Sequence, residues 1–435
     1  MDIENTSIPG LLFKMSPPVM LALLIQSIYN IADSFFVSKY SMEGLTALSI
    51  IYPVQLLITA LATGTGAGVN ILISRLDGKG EKEAQHDIIK SGFVINLVHF
   101  LLFALVGNIL VDCYFSLSTT NMLVKSQGIL YSRIIFAGSL GLFTESIATK
   151  ILQARGNMIV PMIAQITGSV VNILLDVLLI FGSGGIPALG ITGAAVATVI
   201  GQWAAMFITL FTVIRKYSFR GRVKTEVCRQ IYANGVGSIV TQSLYTLYIV
   251  GLNMILKSFT EDAVTVLGIY YKIQSFFFIP LLGFQQVLLP LFSYHYGAGD
   301  HRRNHEILKW SVVFSASVMA VATGIFFLLP GQLIRIFAAK RTIVTIGSYA
   351  FPVISISFIF AGLTIVITSY LQGIAHIKAS LFIIVLRQIF LLVPLAWLFH
   401  FIGLNAVWWT FPVTEIIASM AGILIIAVFS RSNKK

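Results

Sequence analysis

The chain has 435 residues, of which 57% are hydrophobic and only 11% are charged, and its formal net charge is +12. The charged share is less than half of that in soluble domains, so too few polar residues remain to cover a water-soluble enzyme or a nucleic-acid-binding domain. A disordered chain, which has low hydrophobicity, is excluded as well. The composition predicts an integral membrane protein.

Apolar segments follow one another along the chain, and each reaches the roughly 20 residues that a helix needs to cross a bilayer. Transmembrane β-strands are shorter and alternate in polarity, so these continuous segments are helices. We predict an all-α membrane protein with twelve transmembrane helices, at residues 11–38, 45–75, 88–112, 127–151, 159–182, 189–214, 230–258, 263–294, 306–329, 343–371, 378–399 and 403–430.

The longest hydrophilic stretch inside the chain separates the first six predicted helices from the last six. We therefore predict an N-lobe at 1–214, a basic linker at 215–229 and a C-lobe at 230–435. Most lysines and arginines fall on the side of the linker, and such residues are enriched in cytoplasmic loops. We expect a multi-pass protein of the cell (inner or plasma) membrane with both termini in the cytoplasm, its basic charge facing anionic lipid and not nucleic acid.

The two halves resemble each other in sequence. Residues 47–81 align without a gap to 266–300, at an offset of 219 that also matches Gly80 with Gly299. An even number of helices per half means that both halves enter the membrane from the same side, which is a parallel repeat. Such a repeat suits alternating access, and the alternative is a duplication kept for packing alone.

Four acidic residues lie well inside predicted helices, namely Asp33, Glu145, Asp176 and Glu415. An ionisable side chain in that position costs about 2.5–3.5 kcal/mol on insertion scales, which favours a functional role. The alternative is that neighbouring helices satisfy each acid by hydrogen bonds. We assign Glu145 and Glu415 to a candidate substrate cavity.

The first helix carries a polar face. Gln26, Tyr29, Asn30 and Asp33 recur at the spacing i, i+3, i+4, i+7, which places them on one side of a helix. We assign the first three to the candidate substrate cavity as well, and Asp33 to a candidate ion site.

Further oxygen-bearing groups lie in the fifth and sixth helices. Asn172 precedes Asp176 by four residues, and Ala194 precedes Thr198 by four. Together with Asp33 these residues offer only oxygen ligands, which suit Na⁺ or a proton. The coupling ion is therefore H⁺ or Na⁺, with a possible Na⁺ site at all five residues, and no other cofactor is expected.

The second half lacks these acids at the positions that the repeat makes equivalent. It carries Lys272, Arg387 and Glu415 instead, and Gln274 stands at the place of Gln55. Glu415 could neutralise either cation in a structural ion pair. The alternative is that Lys272, Gln274, Arg387 and Glu415 contact a substrate.

Several other functions lack a sequence signal. The chain has no Walker A sequence, and the glycine-rich segment 64–68 lies in the middle of a helix, where it indicates close helix packing. Cys113 and Cys228 fall on opposite sides of the predicted membrane, which excludes a disulfide between them. A membrane-embedded enzyme would need a nucleophile and base or a metal set, and we find neither.

Four motifs carry a family resemblance. The segment YNIADSFFV at 29–37 resembles the first-helix motif of the multidrug and toxic compound extrusion (MATE) transporters. LQARGN at 152–157, NILLD at 172–176 and GITGAAVAT at 190–198 are similar to the motifs that follow in that family. The resemblance implies a V-shaped, two-lobed antiporter, a monomer here, which exports small organic and often cationic compounds on a Na⁺ or H⁺ gradient.

The resemblance also implies that Asp33, Asn172, Asp176 and Thr198 form the ion site of the N-lobe. Family members coupled through the second lobe carry acids deep in the seventh and tenth helices, and this sequence has none there. It resembles the DNA-damage-inducible-F-like bacterial branch, which works through the first lobe. The alternative function is a flippase for lipid-linked or polyisoprenoid precursors, for which Lys272 and Arg387 would supply positive charge.

Overall fold

The computed structural model describes residues 6–182, 185, 187–338 and 340–432, and within these residues all regular structure is helical. The long helices are α1 (Ile8–Tyr40), α2 (Met42–Lys79), α3 (Lys82–Ser118), α4a (Met122–Gly138), α4b (Leu140–Ala154), α5 (Ile159–Phe181), α6 (Ile191–Lys216), α7 (Thr225–Lys257), α8 (Glu261–Gly297), α9 (His301–Leu328), α10a (Arg341–Ser355), α10b (Ser357–Gly373), α11 (Ile377–His400) and α12 (Thr410–Ser432).

Among the described residues, ten helices are long and apolar enough to cross a membrane, or twelve if each of two bent pairs is one span. The predicted all-α membrane class is confirmed, and the twelve predicted spans correspond to the ten helices and the two pairs. The bend of 45° between α4a and α4b was not predicted, whereas the bend of 41° between α10a and α10b follows Pro352, a proline expected to interrupt its helix.

Each bend has a side-chain donor from a neighbouring helix at the last residue before the break. The indole N–H of Trp203 donates to the carbonyl oxygen of Gly138 over 3.0 Å, and the hydroxyl of Thr323 donates to the carbonyl oxygen of Ser355, also over 3.0 Å. A helix kinks readily where an external group takes up its backbone carbonyls. Trp203 and Thr323 therefore stabilise the bends.

The repeat is visible in the turns that end α2 and α8. Gly80 and Gly299 have φ angles of 77° and 72°, in the left-handed region that favours glycine. These two glycines are 219 residues apart, at the offset found in the sequence. The same turn therefore follows the same helix in each half.

The described chain divides into two compact units. The first unit contains residues 15–239 and the second contains residues 240–432 together with the start of α1. In the first unit the glycines of α2 approach the start of α7 closely: a Cβ on Gly68 would lie 2.0 Å from the carbonyl oxygen of Ile231. This contact agrees with the close packing that the glycine-rich segment predicts.

The basic linker is held against the first unit. Lys224 pairs with Asp87 over 2.6 Å, and the backbone N–H of Arg222 donates to the same carboxylate over 2.7 Å. Gly221 lies so close that a Cβ there would stand 2.2 Å from the backbone of His86. The linker thus follows a defined path along the beginning of α3.

The LQARGN motif supports the start of the same linker. Arg155 forms an ion pair with Asp77 over 3.0 Å, and its guanidinium lies 5.1 Å from the ring centre of Tyr217. A cation over an aromatic ring is stabilised by the ring quadrupole. Through Arg155 the motif therefore connects the end of α2 with the start of the linker.

Replacing Asp87 with alanine should release the linker, because both Lys224 and the Arg222 N–H lose their acceptor. An exposed ion pair and one hydrogen bond are worth about 1 kcal/mol together, so tryptic cleavage within 215–229 should accelerate roughly fivefold. Cleavage is followed by mass spectrometry of the purified protein. Asp112→Ala, which breaks an exposed pair with Arg133, is the control, and equal rates in both variants would contradict the expectation.

Candidate functional site

Two carboxyl groups meet inside the first unit. Asp33 of α1 is partly buried and Asp176 of α5 has no exposed surface, and the two side chains lie close enough to share a hydrogen bond. Within the described part of the chain, one oxygen of Asp33 and both oxygens of Asp176 are buried without a donor. Since an ionised carboxylate only accepts hydrogen bonds, a proton or a cation between the two would satisfy both.

Asn172 and Thr198 complete the predicted oxygen set. Asn172 is 3% exposed, and its amide nitrogen donates to the hydroxyl of Thr198 over 3.4 Å. The side-chain oxygen of Asn172 is buried and has no donor in the described structure. One turn before Thr198, Ala194 is fully buried in α6. The site therefore offers four buried oxygens without donors, from one amide and two carboxyl groups, which suits a hard cation or a proton.

Two tyrosines lie around the acid pair. Tyr29 is one turn before Asp33 on α1 and interacts electrostatically with Asp33, Glu145 and Asp176. Tyr131 of α4a is 2% exposed and interacts with Asp33 and Asp176 in the same way. Hydroxyl groups beside carboxylates can donate hydrogen bonds to them. Both phenols therefore belong to the surroundings of the acid pair.

Glu145 has partners of its own. The hydroxyl of Thr149 donates to one of its carboxylate oxygens over 2.6 Å, and Lys150 attracts it electrostatically. These contacts fit the interpretation of Glu145 as a satisfied acid better than that of a free ligand. On α1, Gln26 is partly buried and Asn30 is exposed, so the polar face of this helix is only partly enclosed.

The second unit contains a different polar centre. The guanidinium Nε of Arg387 donates to Glu415 over 2.6 Å, and the side chains are 24% and 10% exposed. Lys272 is exposed and forms no ion pair within the described residues. Arg387 is therefore the cation that neutralises Glu415, and Gln274 lines a cavity next to this pair.

Comparison with known proteins decides the family. A family model described as MatE matches the chain twice, at residues 18–178 and 238–398. The two matches cover more than half of the chain, and each falls in one half of the repeat. The chain belongs to the MATE family.

Several known proteins match this chain over most of its length. It is 24% identical to the FAD transporter of Shewanella oneidensis, over 96% of this chain and 94% of that protein. It is 22% identical to the probable multidrug resistance protein NorM of Thermotoga maritima, over 83% of this chain and 79% of that protein. Its fold matches an outward-facing multidrug resistance MATE family transporter of the MOP superfamily with a TM-score of 0.92, at 21% identity over 100% of this chain and 98% of that chain.

Membership of the MATE family makes the chain a transporter and not an enzyme. It is a multi-pass protein of the plasma membrane that handles small molecules, and its homologues include proteins named for multidrug resistance and multidrug export. MATE transporters are driven by ion gradients and use no cofactor.

Two residues near the acid pair were not singled out for this site from the sequence. Tyr131 and Gln55 form a pair in which the amide nitrogen of Gln55 donates to the Tyr131 hydroxyl over 3.2 Å. This bond leaves the phenol proton available for a carboxylate. Gln55 stands out in the sequence only as an aligned position of the repeat, and Tyr131 has no signal of its own.

Proposed function

We propose that this chain is a secondary active antiporter that exports organic compounds, cationic or amphipathic, in exchange for H⁺ or Na⁺. The coupling ion binds at Asp33 and Asp176, with Asn172 and Thr198 beside them. One observation carries the proposal: four buried oxygens of this group have no hydrogen-bond donor in the described structure. Buried acceptors without donors cost free energy, which an ion or proton would recover.

The two acids give the ion a way to act on the helices. When both carboxylates are ionised they repel each other across α1 and α5, and a bound proton or Na⁺ removes this repulsion. Ion binding therefore favours the arrangement in which Asp33 and Asp176 are close. An ion drives transport only if it binds two conformations with different affinity, and this pair supplies such a difference.

The remaining parts of the proposal concern topology. Both termini and the linker lie in the cytoplasm, because lysine and arginine are enriched in cytoplasmic loops. The N-lobe (1–214) carries the ion site, the linker (215–229) connects it to the C-lobe (230–435), and the protein works as a monomer.

The alternative, a flippase for lipid-linked precursors, has weaker support. A pyrophosphate carries several negative charges and needs several cations without acidic partners. Arg387 is paired with Glu415, and Lys272 is exposed. The described part of the second unit therefore favours a substrate of lower net charge.

Reconstitution into proteoliposomes tests the antiport. A fluorescent organic cation is loaded, and pH and Na⁺ gradients are imposed separately. Under one of the two gradients, pH or Na⁺, we expect the organic cation to move in the direction opposite to the flow of that ion. Without a gradient we expect no such movement. Movement that is independent of both gradients would contradict the proposal.

A further inference from the structure

The second unit forms a partly open cavity that the acid pair of the first unit does not line. It measures about 40 Å³, and its walls are aromatic on one side and polar on the other. The aromatic wall includes Tyr248, Tyr270, Tyr271 and Phe411. Since one water needs roughly 10–15 Å³ of such a volume, the inner part of the cavity holds a small polar group, and the rest of a larger ligand would extend through its open side.

The polar wall presents acceptors that have no donor. Glu415 uses one carboxylate oxygen for Arg387, and its other oxygen is buried without a hydrogen bond to any described residue. The side-chain oxygen of Gln388 is also buried and without a donor. Both residues line the cavity and are 7% exposed. These two oxygens call for a group that donates hydrogen bonds.

The same wall presents donors as well. Among the described contacts, Arg387 uses only its Nε, for Glu415. The two terminal nitrogens at the other end of the guanidinium thus stay available as a planar fork, the arrangement that binds a carboxylate at two points. Donors and acceptors therefore stand side by side in one small cavity.

The backbone at this point departs from a regular helix. Leu386–Leu391 forms a π-helical segment within α11. Helix α5, which the repeat makes equivalent to α11, is a regular helix from Ile159 to Phe181. The π-helical segment carries both Arg387 and Gln388, consecutive residues that line the same cavity. Short π-helical segments inside α-helices are frequent at functional sites.

We propose that this cavity binds the charged end of an aromatic zwitterion, a compound that carries an ammonium and a carboxylate close together. The carboxylate binds the terminal nitrogens of Arg387, and the ammonium donates to the free oxygens of Glu415 and Gln388. The aromatic ring packs against the tyrosines. The inference rests on the proposed function, since it names a class of exported substrate.

A single charge fits the cavity less well. A plain organic cation meets the positive charge of Arg387 and leaves the guanidinium fork without an acceptor. A plain organic anion meets Glu415 and leaves its free oxygen and that of Gln388 without a donor. Unpaired buried groups lower affinity more than a lost contact alone. Only a ligand with both charges gives hydrogen-bond partners to the terminal nitrogens of Arg387 and to the free oxygens of Glu415 and Gln388.

Binding to the purified full-length protein tests the proposal with three matched probes. L-phenylalanine carries both charges, its methyl ester only the positive one, and N-acetylphenylalanine only the negative one. We expect phenylalanine to raise the unfolding temperature in a saturable way and the two derivatives to need at least tenfold higher concentrations. Equal binding of the ester would make this an organic-cation site, equal binding of the N-acetyl compound an organic-anion site, and no binding a water-filled cavity. Each of these three results would overturn the proposal.

One substitution changes the polar side of the cavity and leaves the Arg387–Glu415 ion pair intact. Gln388→Leu removes a free acceptor and should weaken phenylalanine binding about tenfold, whereas Ser317→Ala on the exposed side of α9 should leave it unchanged. Unchanged binding by Gln388→Leu would contradict the assignment of the ammonium. Phenylalanine binding is read without any ion gradient, whereas antiport requires one, so a failure of antiport and a failure of this site are separate results.

Discussion

Replacing Asp33 with asparagine should reduce efflux of a fluorescent organic cation to the rate of cells that lack the transporter. Asparagine has nearly the same shape, but it cannot ionise and cannot release a proton. The shared geometry with Asp176 then persists while the charge that attracts the coupling ion is lost. Efflux is measured in cells that express each variant at equal levels in the membrane fraction.

Two further variants test whether the loss of efflux is specific to the acid pair. Asp112→Asn removes an acid of the same type whose side chain is 51% exposed and paired with Arg133, and it should leave efflux unchanged. The double variant Asp33→Asn with Asp176→Asn should be no worse than either single variant, because residues that act as a unit are not additive. Efflux at the wild-type rate in Asp33→Asn would refute the role of the pair.

The second large effect concerns the ion pair of the second unit. Replacing Arg387 with methionine should lower the free energy of unfolding by about 3–5 kcal/mol, because Glu415 is then left as an unpaired charge in a buried position. Glu415→Met should cost a similar amount. The double replacement should recover most of the loss, since both charges are then absent. Unfolding of the purified protein by denaturant measures these differences.

The control for the buried pair is the exposed ion pair between Arg133 and Asp112. Breaking Arg133–Asp112, in which both side chains are 51% exposed, should change the unfolding free energy by less than about 1 kcal/mol. If Arg387→Met and Arg133→Met had equal effects, the Arg387–Glu415 pair would not be a buried structural element.

The acid pair could be predicted from the sequence because its members are conspicuous. Charged residues are rare inside apolar helices, so Asp33 and Asp176 stand out, and helical spacing places Asn172 beside Asp176. What spacing cannot give is the rotation of one helix against another. For that reason Tyr131, an ordinary tyrosine in α4a, was not assigned to the site.

The same limit applies to the second unit. Glu415 had two candidate partners, and the sequence left the choice between Lys272 and Arg387 open. Only packing shows that Arg387 reaches Glu415 while Lys272 is exposed. The π-helical segment that carries Arg387 has no distinctive sequence pattern either.

The number of helices was predictable; of the two bends, only the one that follows Pro352 had a signal in the sequence. Twenty apolar residues identify a span wherever they occur. A bend depends on which side chain of a neighbouring helix reaches a backbone carbonyl, as Trp203 does at Gly138 and Thr323 at Ser355. Such contacts join residues that are far apart in the chain, so local patterns do not reveal them.

Ion coupling at the acid pair is tested most directly by measuring how much H⁺ or Na⁺ the protein releases when it binds a substrate. A saturating amount of a transported compound is added to the purified protein. Released H⁺ is measured as a pH change in a weakly buffered solution, and released Na⁺ is measured with protein that was first loaded with radioactive Na⁺. We expect wild-type protein to release H⁺ or Na⁺ and the double variant Asp33→Asn with Asp176→Asn to release neither. Equal release by the wild type and the double variant would contradict ion coupling at this pair.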